Sequence, residues 1–124
     1  MSGTSGHLDL LAIARCVRDA VERDDAEGLH AHLTRLRTAV MDHVHAERAQ
    51  LDALPDPAAA VALDGQRRLL RLLTDVLFAP ADGDGRDDCN CVVRAAEIEL
   101  AVRRQAKLEA ALLRRHPHAR RAGT

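Results

Sequence analysis

The sequence predicts an all-α protein, an up-down-up-down antiparallel four-helix bundle. Three observations lead there. The apolar residues are almost all Leu, Ala and Val, with one Phe and no Trp or Tyr, a composition that suits helix-on-helix packing and not a β-sandwich. Apolar residues recur at helical spacing in four segments. The connections between the segments are mostly short, which makes successive helices antiparallel neighbours. At 124 residues one domain is expected.

The first helix is expected over about 5–23, with the stripe Leu10, Ala14, Val17 and Val21 flanked by Leu11 and Ile13. Asp24 or Asp25 then offers an N-cap, supported by Glu27 in the first turn. The second helix, about 26–54, carries the seam Leu29, Leu33, Leu36 and Val40. Continuing that alternation of three and four brings His43 and Glu47 onto the seam and leaves His45 off it. Asp56-Pro57 reads as an N-cap followed by proline at the first helical position. The third helix, about 57–78, has the stripe Leu63, Leu70, Leu73 and Leu77, with Leu69 and Val76 alongside and Gln66 within it. The loop APADGDGRDD follows. It resembles a calcium loop in its Asp and Gly content, but Arg86 and Asp87 break the pattern, and calcium is not expected there. The fourth helix, about 88–115, has the stripe Cys91, Ala95, Ile98, Val102, Gln105, Glu109 and Leu112. Residues 116–124 are expected to be a flexible basic tail.

Charge and composition exclude several function classes. Eighteen Lys and Arg are balanced by nineteen Asp and Glu, so no electrostatic case for nucleic acid or a membrane surface arises. The opening MSGTSGHLDLLAIA lacks the basic start and apolar run of a signal peptide, and no segment reaches membrane-spanning length. The cytoplasm is the expected location. Three cysteines do not read as a disulfide framework there. Cys89 and Cys91 are read as small residues at a helix start, with thiol sensing as the lesser alternative, and Cys16 as packing. His30 and His32 flank the second seam and are expected at the surface. No Gly-rich phosphate loop and no nucleophile–base set is present.

Polar residues on bundle seams are the ones to question, because bundles build metal and cofactor sites from facing helices. His7 extends the first stripe. It lies 18 residues before Asp25, and His43 lies 18 after it, so at about 1.5 Å per residue the two reach the same height. Gln66 falls level with them by the same count about the turn near Pro55. Glu109 joins this layer if the 79–88 loop climbs the bundle side by a few residues. A two-fold repeat also emerges: His43-x-x-x-Glu47 is answered by Gln105-x-x-x-Glu109. The bland alternative is a hydrogen-bonded polar network in a small core, which His, Glu and Gln can close among themselves.

A helix-one His followed by a helix-two His-x-x-x-Glu and Leu resembles the hemerythrin-like (HHE cation-binding) family. Residues 7–54 are similar to that family's first hairpin along nearly their whole length, and Gly65 to His116 to the second in apolar pattern only. The resemblance implies iron, with His7 and His43 as ligands of one ion and Glu47 and Glu109 as bridging carboxylates. Gln66 and Gln105 stand where the family has further histidines, and Leu70 cannot replace another. The resemblance therefore implies a reduced, single-metal site for a small ligand such as dioxygen, nitric oxide or peroxide. Two alternatives stand beside it: a metal-free pseudo-hemerythrin bundle acting as a structural or protein-interaction module, and a peroxidase-like enzyme.

Overall fold

The computed structural model describes residues 3–78 and 87–122, with side chains described at 7, 9–78 and 93–122. The described residues are all-α: α1 (Gly3–Glu22), α2 (Ala26–Asp52), α3 (Asp56–Leu77), α4 (Asp87–Arg115) and α5 (Pro117–Arg121). The four long helices pack against one another. α1 and α3 each pack on both α2 and α4. None of the described helices is long and apolar enough to cross a membrane. The loop compared with a calcium site, and the side chains of Cys89 and Cys91, lie outside the described residues.

The turn from α1 to α2 takes three residues because Asp24 adopts a left-handed conformation, with φ 55°. Asp25 N–H then donates to Ala20 O at 2.9 Å and Asp24 N–H to Val21 O at 3.1 Å, the paired bonds of a Schellman motif. Asp25 also starts α2, its carboxylate accepting from Gly28 N–H at 3.0 Å. Pro55, not Asp56, is the N-cap of α3. The Pro55 carbonyl already accepts the first helical bond, from Ala59 N–H at 2.9 Å, so Asp56 is inside the helix and Pro57 sits one position later than expected.

Two apolar clusters make the core. The larger includes Leu10, Ala14 and Val17 of α1, Leu33, Leu36 and Val40 of α2, Leu69 and Leu73 of α3, and Ala95, Ile98 and Val102 of α4. The smaller is Leu51, Leu54, Ala62, Leu113 and Ala119. The buried stripe of α3 is Ala62, Gln66, Leu69 and Leu73, so Leu63, Leu70 and Leu77 flank it rather than lead it. On α4, Leu113 is buried and Leu112 only half-buried. In both helices the observed stripe is the one in register with the buried polar residue, Gln66 or Glu109.

The segment expected as a frayed tail forms α5. Pro117 pre-sets its first turn, Ala119 is fully buried, and Gln50 Nε2 donates to Arg120 O at 2.6 Å. α5 packs on α2 and α4, the two helices that α1 also packs on. α1 supplies three buried residues to the larger cluster and none to the smaller, where Ala119 stands instead. Ala119→Glu would put a charge where no side-chain volume exists. It should detach α5, cost about 1–3 kcal/mol, and speed tryptic cleavage at Arg114 to Arg121; an unchanged cleavage rate would show that α5 is not held by this contact.

Candidate metal centre

A polar layer separates the two clusters. It holds His7, Glu47, Gln66 and Glu109, all buried, with His43 and Gln105 at its edge. The helical spacing that builds the seams also builds this layer. His7 is one turn from Leu10, His43 one turn from Val40, Glu47 one turn from Leu51, and Gln66 one turn from Ala62 and Leu69. Glu109 is one turn from Leu113.

His7, His43, Glu47 and Glu109, named from the sequence, come together from three helices: one ligand atom from each lies within 4.8 Å of every other. His7 Nε2 is 3.1 Å from Glu109 Oε1 and 3.3 Å from Glu47 Oε1. His43 Nε2 is 3.2 Å from Glu109 Oε1 and also meets Glu47 Oε1. The two imidazole rings are tilted at 56°, with centroids 4.6 Å apart. His45 is exposed, as its place off the seam predicts.

The two carboxylates have opposite environments. Glu109 is saturated with donors: Oε1 faces the two histidine nitrogens, and Oε2 accepts from Gln66 Nε2 at 3.0 Å and Gln105 Nε2 at 2.6 Å. Glu47 is only 3 % exposed, yet neither of its oxygens receives an aligned hydrogen bond from any described group. The two histidine nitrogens lie against Oε1, near enough to feel its charge, but off the line of a well-formed hydrogen bond. A buried carboxylate with no donor is costly, on the order of 1–3 kcal/mol or more.

The charges of the layer are coupled. Burial opposes protonation of His7, but the hydrogen bond to Glu109 and the adjoining Glu47 carboxylate outweigh it and raise its pKa from 6.5 to about 9. His43 is raised to about 9 by the same balance. Burial alone would raise the Glu109 pKa, but its hydrogen bonds from His43, His7 and Gln105 hold it well below the usual carboxylate range.

The same donor set could hold a metal ion once the close His43–Glu47 contact opens. Two ligands at about 2.1 Å from an ion and separated by 90–110° lie about 3.0–3.4 Å from each other, and three of the His–Glu separations fall in that range. The adjoining cavity, about 10 Å³, is lined by His7, His43, Gln66 and Glu109 with apolar Leu10 and Val40. That is room for about one water-sized sphere.

Sequence reasoning missed two buried polar groups. Glu99 is 7 % exposed and accepts from Arg18 Nη1 at 3.2 Å and Arg103 Nη2 at 2.9 Å. Its i, i+4 spacing to Arg103 was the available signal. His32, expected at the surface with His30, is half-buried, and its Nδ1 has no partner among the described residues. Searches with this chain found no matching family model, no matching curated protein and no matching solved structure.

Proposed function

We propose that this protein is a cytoplasmic, hemerythrin-like metal-binding protein, an up-down-up-down antiparallel bundle that holds one iron ion on His7, His43, Glu47 and Glu109. The observation that carries this reading is Glu47: a buried carboxylate without a hydrogen-bond donor, facing two imidazole nitrogens. An ion between these groups supplies what Glu47 lacks. Imidazole and carboxylate together suit Fe(II) or Zn(II). Gln66 and Gln105 turn their amide nitrogens to Glu109, which leaves no histidine set for a second ion. Bound Fe(II) would offer open positions to a small ligand such as dioxygen, nitric oxide or peroxide, and the 10 Å³ cavity suits a ligand of that size.

Glu109 supports a second reading. With four donors on its two oxygens it is satisfied without any metal, as expected in a structural or interaction module, although Gln66 Oε1 and the Glu47 oxygens stay unpartnered among the described residues.

Anaerobic loading with Fe(II), followed by metal counting, separates the two. One ion per chain is expected for the native protein and for His45→Ala, and none for His43→Ala. Less than about a tenth of an ion on the native chain, at a pH where imidazole is free to bind, selects the metal-free network. Peroxide turnover that vanishes with the ion would extend the first reading to an enzyme.

A further inference from the structure

Gln66 and Gln105 do more than occupy places where ligands are missing. Their amide orientations follow from their partners. Gln105 Nε2 lies 2.6 Å from Glu109 Oε2 and 3.0 Å from the Ala62 carbonyl; both are acceptors, so the nitrogen must be there. Gln66 Nε2 donates to the same Oε2 at 3.0 Å. One carboxylate oxygen thus receives two amide donors, while the other faces the imidazoles. A carboxylate that chelates one ion or bridges two needs lone pairs on both oxygens. Glu109 has only Oε1 to offer.

Gly65 belongs to the same arrangement. It lies inside α3, where glycine is less favourable than alanine. A Cβ at this position would overlap Gln105 Oε1. The missing side chain is what lets the Gln105 amide lie along the α3 backbone between Ala62 and Gly65. The overlapping atom is the end of a flexible side chain, so an added methyl group would displace Gln105 and leave the helix intact.

Resting on the metal reading above, we infer that Gln66 and Gln105 are positioning residues that lock Glu109 as a one-oxygen ligand, with Gly65 as the gap that admits Gln105. The lock restricts the centre to a single ion. Such hydrogen-bonding partners commonly change metal affinity by about 10–100-fold.

Co(II) is the probe, because its visible bands report ligand geometry. The native chain, Gly65→Ala, Gln105→Ala, Gln66→Leu and the Gly65→Ala/Gln105→Ala pair are each titrated with Co(II) against a competing chelator. The Tm of each metal-free protein is measured alongside. The native chain should bind one Co(II). Gly65→Ala and Gln105→Ala should each bind about 10–100-fold more weakly, with the same band shift, and the pair should be no weaker than either alone. Gln66→Leu should weaken binding without reproducing the Gly65→Ala band shift. In the metal-free protein, Gly65→Ala should raise Tm only when Gln105 is already gone. A purely structural role for Gln105 would leave the bands unmoved. If the native chain binds one ion and Gly65→Ala keeps its affinity and bands, the lock is wrong and the metal reading stands. If the native chain binds no Co(II), both fall.

Discussion

Glu109→Leu is expected to lower the Tm of the metal-free protein by roughly 10–20 °C, a loss of about 3–5 kcal/mol for a chain of this size. The side-chain volume is nearly kept, so the cost is not a cavity. It comes from His7, His43 and Gln66, which lose the acceptor they share, and from Gln105, which keeps only the Ala62 carbonyl, in a layer from which water is largely excluded. Glu47→Leu makes the same chemical change one turn before Leu51 on α2, with a different expected result. Neither Glu47 oxygen accepts an aligned hydrogen bond, so the metal-free protein should lose less stability than with Glu109→Leu, the loss coming from the carboxylate that faces His7 and His43. Both variants should lose the metal. Thermal melts with chelator, paired with metal counts, check the contrast. Equal losses of stability at the two positions would mean that Glu47 is a network member and not a group waiting for an ion.

The metal-free protein should be most stable between about pH 4.5 and 6.5. The direction follows from linkage. His7 and His43 are raised in the folded state from 6.5 to about 9. Their contribution is complete below pH 6.5 and is lost as pH rises through 9. Glu109 is depressed from an ordinary 4.5, so its contribution is complete above that pH and fades in more acid solution. The alkaline loss should amount to a few kcal/mol. The metal-bound protein should behave oppositely over pH 6.5–9, because imidazole must shed its proton to bind an ion. The Tm difference between loaded and chelated samples should therefore widen across that window. A chelated protein whose Tm is flat from pH 6.5 to 9 would contradict the coupled layer itself.

Much of this site was legible from spacing. His43 and Glu47 continue the count begun by Leu29 and Leu33, and His7 extends the count of Leu10 and Ala14. A helix rises by a constant amount per residue, so two such counts folded about a short turn bring His7 and His43 level. Glu109 was conditional, because the Gly- and Asp-rich sequence of 79–88 carries no periodic pattern to count along. The α3 and α4 stripes were off by a position at Leu63 and Leu112. Several leucines compete for the interior in those helices, and packing against the neighbouring helices selects among them. The tail was misjudged for a related reason. Ala119 has no pattern around it, and α5 forms because a hollow beside Leu51 and Leu113 accepts it.

Local periodicity, caps and turn chemistry in the chain specify four long helices and the rows of polar residues on their seams, since these depend on neighbours three or four positions apart. The different surroundings of Glu47 and Glu109 depend on residues up to 102 positions away. That Glu109 takes the aligned donors and Glu47 does not, and that Gly65 leaves space for Gln105, are consequences of how α1, α2, α3 and α4 meet. No local rule encodes them, because hydrogen-bond alignment is set by side chains converging from separate helices to within a few ångströms.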